Sequence, residues 1–467
     1  MYFLLPHKGK IFLLLVASFL FYMAFIPSYA LILVTLILID YFAGLLIEKT
    51  SGQRRKTYLL VSLVSNLLFL GVFKYFNFFN ANIAALANFF DLKYPIHALN
   101  IILPIGLSFH TFQAMAYTIE VYRKRVKAER NLFIYALYVM FFPQLVAGPI
   151  ERPFNLLPQL KANHRFDYQN AVIGLRLILY GLFKKMVIAD NLAPYVSLVF
   201  KNVTDYQGIT LILGMIFFAF QIYCDFSGYS DIAIGCAQMM GYKLVKNFDY
   251  PYFSRNIGEF WQRWHISLSS WFRDYVYIPL GGSRVSKIKW WRNIFMVFIL
   301  SGLWHGANWV FAVWGVLHGV YYLLYSVLGK MIGRLFGWLQ ILLTFSLVCV
   351  AWIFFRAQNL DDAWFMLTHL TFGIGGYFRY LLEKGVSADW NQVMAPFTIT
   401  GAHREVWWLI AMVAGFVIFE FARFRGTKIA NLESGSKLVR WVVYLVLIFV
   451  IVNFGAVKET PFIYFQF

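Results

Sequence analysis

Apolar runs long enough to cross a lipid bilayer recur along this chain from one end to the other. A hydrocarbon core is spanned by about 20 consecutive helical residues. The runs are 11–27, 29–47, 58–78, 132–148, 292–303, 307–329, 338–355, 405–422 and 437–454, with shorter or interrupted ones at 98–121, 171–189 and 209–240. They predict an all-α polytopic membrane protein with roughly nine to twelve membrane-embedded helices.

The composition agrees with this class. Hydrophobic residues make up 60% of the chain and charged residues only 13%, whereas soluble domains carry about 25% charged residues. No linker or soluble domain interrupts the apolar runs, so we expect residues 1–467 to form a single integral-membrane domain. The first run lacks a small-residue cleavage site and is predicted to stay in place as a membrane helix.

The net charge of +19 is concentrated in a few short basic loops. Such loops stay in the cytoplasm and attract anionic lipid, so the charge does not indicate nucleic-acid binding. One loop carries Arg284, Lys287, Lys289 and Arg292, which are also candidates to hold the phosphates of an anionic cytosolic donor. The three cysteines have no paired spacing and predict neither disulfides nor a metal site.

Two of the apolar segments contain residues that break helices. Pro104 and Gly106 interrupt the run at 98–121, and Pro143, Gly148, Pro149 and Pro153 crowd the short span 141–153. Irregular backbone at membrane depth is tolerated only where protein or a water-filled cavity satisfies it. The breaks therefore predict broken or re-entrant segments around a central tunnel.

Two histidines lie within apolar segments, His265 after Trp264 and His305 after Trp304. An ionisable side chain at such a depth is costly and marks a functional-site hypothesis. Each is separated from the same basic loop by thirteen or fourteen residues, which is about 20 Å of helix. We therefore expect the two imidazoles at similar depth, either as a proton-transfer site or as helix-to-helix hydrogen-bonding groups.

The patterns around these histidines predict continuous helices. Aromatic and polar residues recur every three or four positions through 255–284, which predicts one helix carrying His265. In 299–319, His305 and Asn308 fall on one helical stripe, and Gly302 begins a small-residue pair that permits close helix packing. Asn308 is thus a candidate to orient the imidazole.

A further candidate is Asp225, which lies in an otherwise apolar run. A carboxylate in such a run needs a partner, and Arg263, Arg273 or a histidine could supply it. Asp225 either orients an imidazole or belongs to a buried charge network that holds helices in register.

Several stretches resemble the membrane-bound O-acyltransferase superfamily, and within it the bacterial branch that includes alginate O-acetylation membrane proteins. The matching stretches are LPIGLSFHTFQ (103–113), FFPQLVAGPIERP (141–153), CDFSGYSDIAIG (224–235), NFDYPYFSRNIGEFWQRWHISLSSWFRDYVYIPLGGSR (247–284), SGLWHGANWVFAVWGVLHG (301–319) and PFIYFQF (461–467). The resemblance implies that His305 is catalytic, that His265 is the second active-site histidine, and that a central tunnel joins two funnels.

The resemblance also implies a multi-pass protein of the bacterial inner (cytoplasmic) membrane with no permanently bound cofactor. The donor would be acetyl-CoA. The acceptor would be an extracytoplasmic polysaccharide hydroxyl or a periplasmic serine-esterase-like acetyltransferase. Two alternatives stay open at this point: D-alanyl transfer to teichoic acid from a carrier-protein thioester, and a transporter or proton channel with a histidine relay.

Overall fold

The computed structural model describes residues 2–101, 103–397, 403–427, 436–456 and 461–463 of the chain. These residues form helices and connecting segments, with no β-strand among them. The chain divides into two compact units. The first comprises Met1–Ile178, Ser230–Asn247 and Ser267–Val276, and the second comprises Leu179–Tyr229, Phe248–Ile266 and Tyr277–Phe467.

The first eight α-helices follow one another along the first two fifths of the chain. They are α1 (His7–Met23), α2 (Ala30–Lys49), α3 (Gly52–Leu70), α4 (Phe76–Phe89), α5 (Leu107–Tyr122), α6 (Leu132–Met140), α7 (Pro153–Lys161) and α8 (Tyr168–Leu182). Tyr117, Tyr135 and Tyr138 are buried in the apolar core of the first unit.

The remaining α-helices carry most of the candidate site residues. They are α9 (Asp190–Lys201), α10 (Ile209–Met239), α11 (Ile257–Arg263), α12 (Ile266–Phe272), α13 (Lys287–His305), α14 (Trp309–Ile332), α15 (Gly337–Arg356), α16 (Leu360–His369), α17 (Ile374–Lys384), α18 (Trp390–Met394), α19 (His403–Phe424) and α20 (Lys437–Phe454). Wider π-helical turns occur at Gly71–Tyr75, Phe183–Ala189 and Arg273–Tyr277. Such turns are frequent at functional sites.

Seven stretches of the described residues are helical, long and apolar enough to cross a membrane. They are Pro27–Lys49, Gly52–Phe89, Ile209–Met239, Trp309–Ile332, Gly337–Arg356, Val406–Phe424 and Lys437–Phe454. Other predicted segments form shorter helices, such as the nine residues of α6. The predicted all-α polytopic class is confirmed.

The predicted breaks are also present. Gly106 has a φ of 74° and directly precedes α5, a left-handed conformation that glycine adopts without a Cβ clash. The helix α6 ends at Met140 and α7 begins at Pro153, and the segment between them is largely buried. Proline and glycine therefore interrupt the apolar run where the sequence places them.

The helices α13 and α14 form a tight hairpin, because only three residues join them. Glycines sit at their contact. A methyl group on Gly302 would overlap the carbonyl oxygen of Phe311, and one on Gly315 would overlap that of Phe298. The predicted close approach at Gly302 is confirmed, and its partner is the backbone of α14.

Gly302→Ala is therefore expected to destabilise the protein by at least about 1–3 kcal/mol, the usual range for overpacking, because the backbone of Phe311 must move. Thermal unfolding in detergent would measure this. The matched control is Gly415→Ala in α19, where no atom lies within 4 Å of the added carbon. Equal melting temperatures for the two variants would contradict the packing described here.

Candidate active site

The structure brings the two histidines together within the second unit. The ring centroids of His265 and His305 lie 6.5 Å apart. The side chains are almost entirely enclosed, with exposed fractions of 0% for His265 and 4% for His305. The sequence analysis expected the two imidazoles only at similar depth, which stays a prediction, and the structure adds that their rings lie side by side.

The segment that carries His265 differs from its prediction. In place of one helix over 255–284, α11 ends at Arg263, Trp264 is extended, and His265 has a φ of 44°. The prediction of a continuous helix is wrong, because two short helices on either side of the break satisfy the same aromatic spacing. His265 thus lies at a sharp turn, in a conformation that histidine adopts more readily than most residues.

His305 is the last residue of α13, so the predicted helical stripe through Asn308 is also wrong. Gly306 is extended, and Asn308 caps the next helix by accepting a hydrogen bond from the Val310 N–H at 3.2 Å. Its amide also donates to the Gln358 carbonyl at 3.0 Å. Asn308 therefore fixes the turn that follows His305 rather than lying one helical turn beyond it.

Aromatic rings enclose both imidazoles. His265 meets the edge of Phe226 at 4.6 Å between ring centroids. His305 contacts Trp304 at 4.9 Å, Phe355 at 5.1 Å and Trp314 at 5.2 Å. These walls exclude water, and electrostatic interactions are stronger where water is excluded. Phe226 and Phe355 were not predicted, because nothing in their local sequence separates them from other core aromatics.

Asp225 has a different partner from those predicted. Its carboxylate pairs with Lys185 at 2.7 Å and accepts the Ile463 N–H at 2.7 Å. Lys185 also pairs with Asp190 at 2.8 Å. The suggested partners are engaged elsewhere, Arg263 with Glu259 and Arg273 with Asp274.

Asp225 is linked to the histidines indirectly, through its neighbour in the chain. The next residue, Phe226, is the one whose ring meets His265. Lys185 lies in the π-helical turn Phe183–Ala189, which brings it to the carboxylate. Asp225 therefore belongs to a buried ionic cluster that holds α10, and with it Phe226, in place.

The four basic residues proposed to hold a donor lie at the other end of α13. Arg284, Lys287, Lys289 and Arg292 are all exposed. Lys287 begins the helix that His305 ends, and the eighteen helical steps from one residue to the other span about 27 Å. These basic side chains are thus too distant from His305 to touch the reacting atoms, and their role in donor binding stays a prediction.

A polar cavity of about 710 Å³ lies near the same end of α13. Its wall includes Asn256, Glu259, Arg263, Trp290 and Tyr322. Trp290 belongs to the first turn of α13 and Tyr322 to the returning half of α14, so the cavity sits at the basic end of the hairpin. The sequence analysis missed this cavity, because its lining residues come from four separate segments. The central tunnel stays a prediction.

The described residues thus form a helical membrane protein with two buried histidines side by side, and comparison with known proteins specifies its class. The chain belongs to the membrane-bound O-acyltransferase family, MBOAT, whose model matches residues 19–360. It is therefore an O-acyltransferase and a multi-pass membrane protein.

Two relatives show which branch of the family it resembles. The chain is 39% identical over 370 residues to a probable alginate O-acetylase of Pseudomonas aeruginosa, covering 78% of this chain and 70% of the relative. It is 36% identical over 416 residues to a peptidoglycan O-acetyltransferase of Helicobacter pylori, with coverages of 81% and 77%. A more distant relative is a teichoic acid D-alanyltransferase of Bacillus subtilis, 30% identical over 284 residues, with coverages of 57% and 71%.

Proposed function

We propose that the protein transfers an acetyl group from cytosolic acetyl-CoA to an extracytoplasmic hydroxyl, with His305 as the general base. The acceptor is a polysaccharide, or a periplasmic serine-esterase-like acetyltransferase that passes the group on. The proposal places the protein in the bacterial inner membrane, where cytosolic donor and periplasmic acceptor meet. The observation that carries it is the buried pair of His305 and His265 in a chain of this family.

The chemistry needs one proton acceptor. His305 takes the proton from the acceptor hydroxyl while the hydroxyl oxygen attacks the carbonyl carbon of the thioester. The carbon–sulfur bond then breaks, the acetyl group remains on the oxygen as an ester, and the leaving thiolate takes the proton back from the imidazolium. Histidine suits this exchange because the unperturbed pKa of its side chain, about 6.5, lies close to neutral pH, so the ring can both take and return a proton.

The position of His305 supports this role. The ring lies at the carbonyl end of α13, and the partial negative charge of a helix C-terminus interacts favourably with a cation. An imidazolium formed during the reaction is therefore stabilised where it arises. In this proposal His265, whose ring centroid lies 6.5 Å from that of His305, holds the acceptor hydroxyl or the thioester carbonyl by a hydrogen bond.

The aromatic walls contribute a second property. A thioester in contact with bulk water would be hydrolysed, whereas Trp304, Trp314 and Phe355 leave little space for water beside His305. Closing a site against water suppresses such side reactions. We propose that the donor enters from the basic end of α13, with its phosphates near Arg284 and Lys287 and its thioester directed towards His305.

A second candidate is D-alanyl transfer from a carrier-protein thioester. The similarity to the Bacillus subtilis teichoic acid D-alanyltransferase supports it. The same step applies, because that donor is also a thioester. The two candidates differ in what binds at the basic end of α13, a nucleotide phosphate group in one and a protein surface in the other.

A donor-discrimination assay tests the proposal. Purified protein in liposomes is given acetyl-CoA, a D-alanyl carrier protein or neither, together with a hydroxyl-bearing polysaccharide, and free thiol and ester are measured. We expect turnover only in the reaction that contains acetyl-CoA and the polysaccharide, with free thiol and ester formed in equal amounts. Turnover only with the carrier protein would favour the second candidate. Proton or solute flux without consumption of either thioester would indicate a transporter.

A further inference from the structure

A second cavity, of about 330 Å³, is apolar, and neither His265 nor His305 belongs to its lining. It is formed mainly by α15 and α19, both of which include stretches long and apolar enough to span a membrane. Rings and aliphatic side chains make up its wall, among them Phe220, Phe253, Trp338, Leu342, Phe345 and Phe416. Its volume lies within the range of about 300–1,000 Å³ that is usual for ligand pockets.

One acidic residue, Glu420, lies at this wall, but both of its carboxylate oxygens already accept hydrogen bonds. One carboxylate oxygen accepts a hydrogen bond from the Tyr180 hydroxyl, and the other accepts one from the Tyr223 hydroxyl at 2.7 Å. Glu420 is 4% exposed. Both carboxylate oxygens are therefore already engaged, and because the rest of the wall is apolar, an apolar chain is the occupant that fits it.

The cavity opens on the lipid-facing side of α15. Trp338 is 64% exposed and Leu342 is 54% exposed, although both line the cavity. Trp338 is the second residue of α15, and tryptophan is enriched where a membrane helix meets the headgroup layer. A chain entering beside Trp338 would thus come from the bilayer with its headgroup at the interface.

Two exposed arginines lie at this same end. The guanidinium of Arg255 lies 3.8 Å from the position that a Gly337 Cβ would occupy, directly beside Trp338. Arg425 lies over the ring of Phe421 at 5.8 Å, and Phe421 packs against the cavity residue Phe253 at 5.6 Å. Among the described residues, neither guanidinium forms an ion pair with an acidic side chain, although the backbone N–H of Arg255 donates to the Glu259 carboxylate at 2.8 Å.

We propose that this cavity binds an anionic phospholipid. One acyl chain occupies the apolar space between α15 and α19, and the phosphate lies between Arg255 and Arg425. Basic pockets among membrane helices on the cytoplasmic side bind anionic headgroups in this way. The site is separate from the histidine pair, so the proposal does not depend on the acyl donor or acceptor.

Native mass spectrometry of the detergent-purified protein tests the proposal. The probes are phosphatidylglycerol and phosphatidylcholine with the same acyl chains. We expect the wild type to retain phosphatidylglycerol at least about tenfold more tightly, since each basic group near the surface contributes measurably to anionic-lipid affinity. Equal retention of the two lipids by the wild type would overturn the proposal, whatever the variants do.

Variants separate the headgroup from the chain. Arg255→Gln with Arg425→Gln should remove the preference for phosphatidylglycerol, whereas the charge-matched control Arg54→Gln with Lys56→Gln should keep it. Leu342→Trp, which fills the cavity, should reduce retention of both lipids. Unchanged phosphatidylglycerol binding in the double arginine variant or in Leu342→Trp, with a monodisperse elution profile, would place the lipid elsewhere.

Discussion

Replacing His305 by alanine is expected to abolish acyl transfer while leaving the protein folded and inserted in the membrane. General-base catalysis contributes about 10²–10⁴-fold in rate, and the proposed mechanism has no other base at this position. The imidazole is 4% exposed and enclosed by rings, so water cannot readily replace it. The measurement is the initial rate of thiol release from acetyl-CoA in liposomes, together with acetylation of the surface polymer in cells.

The control for this variant is His369→Ala. His369 lies at the end of α16, and its ring bonds to the Phe365 carbonyl of the same helix at 2.9 Å. We expect that variant to keep wild-type rates. Polymer acetylation that persists in His305→Ala at normal protein levels would remove His305 from the mechanism.

Replacing His265 by asparagine is expected to reduce turnover by at least about tenfold, without the loss of stability that alanine would cause. The reason lies in the backbone, since His265 has a φ of 44°. A left-handed conformation costs most L-residues about 1–2 kcal/mol, and asparagine tolerates it. Asparagine therefore preserves the turn and removes the ring, so it isolates the chemical contribution of the imidazole.

Comparing three variants makes this test sharp. Thermal unfolding should rank His265→Asn and His265→Gly above His265→Ala, while all three should turn over slowly. Near-normal turnover in His265→Asn would show that the turn, and not the imidazole, is what the active site requires. Slow turnover with an unchanged KM would indicate that His265 acts on the reacting atoms rather than on donor binding.

Much of the architecture follows from residues that can be seen in the sequence. Apolar runs of membrane length gave the helical class, and Gly106 and Pro153 marked real helix boundaries. The break at His265 could not be predicted in the same way, because no glycine or proline lies between Arg263 and Ile266. Tertiary packing of Trp264, which is 1% exposed, overrides the local helical pattern there.

The candidate site, too, could be predicted from the sequence only in part. His265 and His305 were found because an ionisable residue is conspicuous in an apolar run, and the structure places them together. The partner of Asp225 was missed, because Lys185 lies forty residues away and reaches the carboxylate through a π-helical turn. Spacing rules for a regular helix cannot anticipate such a turn, nor the ring of Phe355 against His305.

If the donor binds at the basic end of α13 as proposed, the placement of Lys287 and His305 at opposite ends of this helix sets the distance that the donor must reach. The two residues are about 27 Å apart along the axis of one helix, and the length of a helix does not change when a substrate binds. A donor whose phosphates rest at one end must therefore carry its reactive carbonyl on a long, flexible arm. Under the proposed function, the long basic side chains and the flexible arm of acetyl-CoA would cover this distance together, which a compact donor such as acetyl phosphate could not do.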